Sequence, residues 1–349
     1  MPEPTLTQAI DALASGHDLA QEQAEEVLRT IMAGDASEVE IAGFLIALRT
    51  KGETEDELAG LAAAMRGLAA HVGSERHDLL DTAGTGGGRS TFNVSTTAAL
   101  IAAGSGCAVA KHGNRSATSR SGSADVLEAL GARIDLEPDA VGRCIDGAGF
   151  GFMFAPRHHQ ATRFVIPVRR ELAVRTVFNL LGPLTNPAGA RRQLIGVADA
   201  SYLDRIAGAL HRLGVDRALV VSGEDGLDEM STSAPTHVVE VDEAGVRRFT
   251  VNATDFGLPQ CRADDAVAGG TPDDNAATTR AIFAGEADGS ARDLALLNAG
   301  AAIYVGGGAD SIADGVDAAR AALDDGLATA ALERYVALSH ELAGAEAPS

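Results

Sequence analysis

The chain has 349 residues, 46% hydrophobic and 22% charged, enough for one large or two unequal domains around a substantial core. Its 49 acids against 28 lysines and arginines give a formal net charge of -21, which repels phosphate backbones and anionic lipid and argues against nucleic-acid and membrane partners. Cys107, Cys144 and Cys261 form no disulfide or zinc pattern, the first residues lack the bases of a signal peptide, and no apolar run reaches membrane-spanning length, so a cytoplasmic protein is expected.

Residues 4–71 read as helices. Ser37 with Glu40 and Thr54 with Glu57 each fit a capping box. Ile41, Phe44, Leu45 and Leu48, then Leu58, Leu61, Met65 and Leu68, recur at helical spacing. So small a unit cannot bury its apolar faces alone, which predicts that residues 1–72 form a helical domain docked on a second domain spanning 73–345, with a helical contribution from a later segment allowed.

From residue 76 short apolar runs alternate with helical stretches. Strands are expected at 79–81, 108–111, 151–154, 194–197 and 218–222, and helices at 95–104, 122–130, 138–147, 157–174 and 201–213. That alternation predicts an α/β domain whose central sheet is mainly parallel and flanked by helices, with ligands beyond the C-terminal strand ends. Gly84, Gly86, Gly87 and Gly88 follow the first strand and precede a helix start. Glycines let backbone amides approach an anion, and a helix N-terminus adds unpaired N–H groups, so a phosphate is the expected guest. Lys111, one of only two lysines, opens a second polar run to Ser123, and neither loop fits a Walker A or Gly-x-Gly-x-x-Gly pattern. Two such loops suggest a ligand with more than one phosphate.

Residues 152–175 hold five arginines and two histidines against the single acid Glu171, and Pro167 is expected to bend the helix there. Pro183 and Pro187 bracket an ordered turn. Beyond the strand at 218–222 lies an acidic loop with Glu224, Asp225, Asp228 and Glu229. Carboxylates at a strand end suit magnesium, which binds through one or two carboxylates plus phosphate oxygens. Residues 236–251 alternate as an antiparallel hairpin, and alanine-rich helices are expected at 273–286, 290–305, 308–325 and 328–343.

GTGG at 84–87, TFNVST at 91–96, KHGNRSATS at 111–119 and IPVRREL at 166–172 together resemble the anthranilate phosphoribosyltransferases, within the nucleoside phosphorylase and phosphoribosyltransferase fold group. The resemblance runs from the first helices to about residue 340. It implies transfer of the phosphoribosyl group from 5-phosphoribosyl 1-pyrophosphate to the amine of anthranilate, in tryptophan biosynthesis. It places that diphosphorylated sugar on Gly84, Gly87, Gly88, Thr91, Asn93, Val94, Ser95 and Thr96, on Lys111, His112, Gly113, Asn114, Arg115, Ser116, Ala117, Thr118 and Ser119, and on Ser123. Anthranilate falls to Gly84, Asn114, His159 and Arg169, the guanidinium being suited to two parallel bonds with a carboxylate. Ser95, Asp228 and Glu229 are the implied ligands of magnesium, two ions per site, and a homodimer through the N-terminal helices is implied as well. No side chain reads as a covalent nucleophile, which suits an oxocarbenium-like transition state stabilised by positioning and charge.

One feature departs from the family. Gly88 stands where an aspartate commonly follows GTGG, and the loop is one residue shorter before Thr91. Whatever that carboxylate contributes is missing or supplied from elsewhere. Two alternatives are a pyrimidine-nucleoside phosphorylase, against which stand the KHGNR run and Arg169, and a non-catalytic nucleic-acid-binding relative, against which stands the acidic charge.

Overall fold

The computed structural model describes residues 3–116, 119–261, 267–287 and 289–345. Helices α1 (Pro4–Ala14), α2 (Gln21–Ala33), α3 (Glu38–Lys51) and α4 (Glu55–Leu68) come first. Both capping boxes are formed: the Ser37 hydroxyl accepts the Glu40 N–H at 3.3 Å, and Glu57 accepts the Thr54 N–H at 2.8 Å. Glu57 does more than cap. Its fully buried carboxylate also accepts the Leu19 N–H at 2.9 Å and pairs with Lys51 at 2.9 Å, so one side chain ties the α1–α2 connection to α4.

Strand and helix then alternate through β1 (Leu80–Gly84), α5 (Val94–Gly104), β2 (Val109–Gly113), α6 (Ser123–Ala129), α7 (Pro138–Ala148) and β3 (Phe150–Phe154). The helix expected over 157–174 is instead three pieces, α8 (Ala155–His158), a 3₁₀ turn at 160–164 and α9 (Ile166–Leu172). Pro167 has no N–H to continue a helix from the preceding turn, so it sits in the first turn of a new one, and Ala173 ends that one in the left-handed region at φ 52°. After α10 (Phe178–Leu181) come β4 (Arg192–Gly196), α11 (Leu203–Arg212), β5 (Arg217–Gly223), β6 (Thr236–Asp242) and β7 (Gly245–Val251). The chain closes with α12 (Pro272–Phe283), α13 (Ser290–Gly306), α14 (Ile312–Asp324) and α15 (Leu327–Ala345).

The seven strands lie in the order β3-β2-β1-β4-β5-β6-β7. The first five are parallel, and β6 and β7 extend the edge as the expected antiparallel hairpin. Period-two alternation sends Leu194, Leu219 and Val221 into a core under α5, α13, α14 and α15, and sends Ile195, Ala218 and Val220 into a second core on the opposite face. That second core runs without a break through α11 into α1–α4, and Val165 and Val168 from the broken segment join it. Among the described residues no helix is long and apolar enough to cross a membrane.

Candidate active site

Four parallel strands end on glycine at one rim of the sheet: Gly84, Gly113, Gly196 and Gly223. Gly84 and Gly196 are register partners, and the glycine loop springs from that point. It is pinned by Thr85 N–H to Gly196 O at 2.9 Å and by Arg89 N–H to Gly226 O at 2.8 Å. Gly86 and Gly87 take φ of 64° and 89°, which L side chains rarely adopt. Arg175 covers the outside of the turn, donating to Gly86 O at 3.1 Å. Asp228 fills the inside. Its carboxylate accepts the Gly86 N–H, and a methyl group on Gly88 would lie 2.5 Å from its Oδ1. A methyl group on Gly196 would lie 1.7 Å from the Asp228 carbonyl oxygen, so the end of β4 must be glycine for the acidic loop to come so close.

Lys111 lies on β2 and is 1% exposed. Its ammonium donates to the Thr82 carbonyl oxygen, to Thr82 Oγ1 at 3.1 Å and to Ser95 Oγ at 3.3 Å. It therefore points under the loops rather than out of them. Glu229 sits beside it at the start of α5, accepting the Ser95 N–H, an orphan donor of the helix N-terminus. Burial, and then the neighbouring Asp228, raise the Glu229 carboxyl to about 8, against the pull of Lys111. Burial likewise raises Asp228 and lowers Lys111. Beneath them Asp81 is wholly buried and raised by burial, but satisfied: it accepts the His112 N–H at 3.1 Å and the Asn186 amide at 2.8 Å.

The two polar loops are joined through Asn93. Its amide donates to Ser121 O at 3.2 Å, and its oxygen accepts Ser121 Oγ at 2.9 Å and Asn275 Nδ2 at 2.8 Å. Val94 begins α5, and the Thr96 hydroxyl is buried there with no partner among the described residues. The Thr91 carbonyl lies against Gly269, where a methyl group would come within 2.1 Å. Gly113 is held equally close by the Ser123 hydroxyl, which donates to Asn114 O at 3.3 Å. Arg115 turns toward α6, pairing with Asp125 at 2.8 Å and donating to Glu128 at 3.0 Å, so its charge is compensated within the protein. Ser116 and Ser119 bond to each other at 2.6 Å. Ala117 and Thr118 lie outside the described residues.

The His112 ring faces His159, with ring centres 5.0 Å apart. His112 Nδ1 lies 3.2 Å from the Gly182 carbonyl, which can only accept, so Nδ1 carries the proton and Nε2 is a bare acceptor. Both Nε2 atoms are buried without a partner among the described residues. Burial, then the neighbouring rings, push His112 down to about 3 and His159 down to about 4, so both are neutral at physiological pH. Arg169 extends from α9 over the Phe178 ring, 5.3 Å from its centre. It is half-buried, which lowers its pKa, and no carboxylate among the described residues pairs with it. An unanswered guanidinium on an aromatic face is a ready carboxylate receptor.

No three His, Cys, Asp or Glu side chains among the described residues form a metal cluster. The raised Asp228 and Glu229 carboxyls, crowded together with only Arg175 acting against the first and Lys111 against the second, nevertheless fit a divalent cation whose remaining ligands are phosphate oxygens and water. Thr82, Asp81, Asn186, Arg175 and Gly196 carry no site motif of their own, although Arg175 closes the arginine-rich segment, Asn186 lies in the turn between Pro183 and Pro187 and Gly196 ends a strand.

The chain matches the family model described as the a/b domain of the glycosyl transferase family over residues 76–329, and that described as its helical bundle domain over residues 7–69. It is 54% identical over 340 residues to an anthranilate phosphoribosyltransferase of Rubrobacter xylanophilus, covering 97% of this chain and 99% of the relative. The crystal structure of the anthranilate phosphoribosyltransferase from Thermus thermophilus superposes with a TM-score of 0.90 at 47% identity, covering 95% of this chain and 99% of that one. The Saccharomyces cerevisiae enzyme in complex with PRPP and Mg superposes with a TM-score of 0.87 at 27% identity, covering 97% and 99%.

Proposed function

The chain belongs to the anthranilate phosphoribosyltransferases, pentosyltransferases of tryptophan biosynthesis that move the phosphoribosyl group from 5-phosphoribosyl 1-pyrophosphate to the amine of anthranilate, and we propose how its residues divide that task. The observation carrying the proposal is that β1, β2 and β5 deliver Gly86, Lys111, Asp228 and Glu229 to the N-terminus of α5. The amides of the glycine loop and of α5, with the hydroxyls of Ser95, Thr96, Ser116, Thr118, Ser119 and Ser123, hold the phosphates. Asp228 and Glu229 hold magnesium, and Ser95 serves a second ion. Bound magnesium supplies positive charge against the leaving pyrophosphate.

Arg169 takes the anthranilate carboxylate. Gly84, Asn114 and His159 border the ring, and the bare Nε2 atoms of His112 and His159 accept from the amine. The bond from the anomeric carbon to pyrophosphate breaks as the amine lone pair forms the new C–N bond, and the nitrogen, now an acidic anilinium, passes one proton to water. An aromatic amine is already neutral near pH 7, so no strong general base is needed. Lys111 acts from below by orienting Thr82 and Ser95 and setting the charge felt by Glu229.

The domains are 1–72 and 73–345, and the protein is a cytoplasmic homodimer. Val39, 81% exposed on α3, and its neighbour Ile46 support contact between N-terminal helices. Mixing protein, phosphoribosyl pyrophosphate, magnesium and anthranilate should extinguish anthranilate fluorescence, and a chelator should stop the loss. Phosphate-dependent cleavage of thymidine or uridine in its place would transfer the protein to the phosphorylases.

A further inference from the structure

Asn298 lies in the middle of α13 between Leu297 and Ala299 and is wholly buried. A primary amide in so apolar a setting is tolerated only when its hydrogen-bonding groups are used. Its Oδ1 accepts the Met230 N–H at 2.9 Å, while Nδ2 donates to the Met230 carbonyl at 3.0 Å and to Leu294 O in its own helix at 2.9 Å. Amide thus pairs with amide, as between neighbouring strands, although residue 230 belongs to the connection between β5 and β6. Leu227 and Met230, 1% and 0% exposed, plug the core on either side of Asp228 and Glu229.

We infer that Asn298 is a positioning residue for the carboxylate pair. It locks the main chain one residue beyond Glu229, so that the flanking side chains turn inward while Asp228 meets the glycine loop and Glu229 meets the start of α5. Aspartate at 298 would lose the donor and add a charge beneath Glu229. Serine is too short to reach both groups of Met230. The role rests on reading Asp228 and Glu229 as the holders of magnesium pyrophosphate.

The test is calorimetric titration of pyrophosphate over a series of magnesium concentrations, with wild type, Asn298→Asp and Asn298→Ser, at a temperature where circular dichroism shows each folded. The magnesium needed for half-maximal pyrophosphate binding should rise at least ~10-fold in both variants, with the anthranilate KM within about 2-fold of wild type. A merely structural asparagine would lower the melting temperature and leave that dependence unchanged, and a folded variant behaving so overturns the inference. Hydrogen exchange on wild type decides the matter if neither variant folds. The Met230 N–H should exchange as slowly as the amides of β5, and magnesium pyrophosphate should slow Gly86 and Ser95 but not Met230; rapid exchange at Met230 removes the role. Wild type that binds no pyrophosphate at any magnesium concentration overturns the reading of the carboxylate pair itself, a result distinct from a failure at Asn298.

Discussion

Asp228 and Gly88 are in contact: a methyl group on Gly88 would meet Asp228 Oδ1 at 2.5 Å and the Gly226 carbonyl oxygen at 2.9 Å. The carboxylate beside this shortened glycine loop therefore comes from the β5–β6 connection. Gly88→Ala must displace backbone as well as side chain. It should cost ~1–3 kcal/mol of stability by overpacking and raise the KM for phosphoribosyl pyrophosphate by at least ~10-fold through the misplaced loop. Urea melts and initial rates check both, and an alanine variant with an unchanged KM would count against a close-fitting loop.

Arg169 offers its guanidinium to a carboxylate with no competing acid among the described residues. Hydrogen bonds to charged groups contribute ~1.5–3 kcal/mol each, so Arg169→Ala should raise the anthranilate KM by roughly 100-fold. The KM for phosphoribosyl pyrophosphate should stay within about 3-fold, and Arg169→Lys, which keeps the charge but loses the planar fork, should fall between. Equal losses for both substrates would refute the assignment.

The buried histidines make a signed prediction about pH. Their folded values, about 3 for His112 and about 4 for His159, lie below the ordinary imidazole value of 6.5. Between those limits the unfolded chain binds protons that the folded chain refuses, so this contribution is complete above pH 6.5 and is lost as pH falls toward 4. Each histidine adds at most about 1.4 kcal/mol per pH unit to the slope. Asp81, Asp228 and Glu229, raised by burial, act with the opposite sign. The difference between wild type and His159→Asn isolates the imidazole, and the variant's urea midpoint should fall less steeply from pH 7 to pH 5. Parallel curves would mean that His159 takes up its proton at the same pH in the folded and unfolded chain, against the effect of its burial.

Asn186 spans β1 and β2, donating to Asp81 Oδ2 and to Ala110 O at 2.8 Å each while accepting the Ala188 N–H at 2.9 Å. Asn186→Leu strands a fully buried carboxyl and should cost ~3–5 kcal/mol. Adding Asp81→Asn should recover part of that loss, because the pair acts as a unit. Denaturant melts of the two single variants and the double variant supply the cycle, and simple additivity would show that the residues do not communicate.

Local chemistry is legible in the sequence and distant contact is not. Ser37 with Glu40 and Thr54 with Glu57 announce helix starts because a cap and its partner lie three residues apart. Apolar alternation marks the strands, and the glycine and KHGNR segments mark the loops. Pro167 signals a bend, yet the complete division into α8, a 3₁₀ turn and α9 accompanies packing of the 3₁₀ turn against α2 and of α9 against α3, which no local pattern shows. Asn298 reaches Met230 across 68 positions and Asn186 reaches Asp81 across 105, so neither leaves a local pattern. Lys111 is legible as a rare cation, but its inward direction is set by Thr82, a residue with no motif of its own.

The core shared by α1–α4, α11 and one face of the sheet sets a limit on dissection. Arg212 of α11 bonds Asp56 at 3.0 Å, and Gly208 lies so near Glu55 that a methyl group there would come within 2.2 Å. Excising the first four helices would bare the apolar flank of α11 and strip Val165 and Val168 of the α1–α4 part of their core. A shortened chain starting at residue 73 would be a precipitate rather than a smaller enzyme: the seam that divides the sequence into two recognisable pieces is no place to cut the molecule.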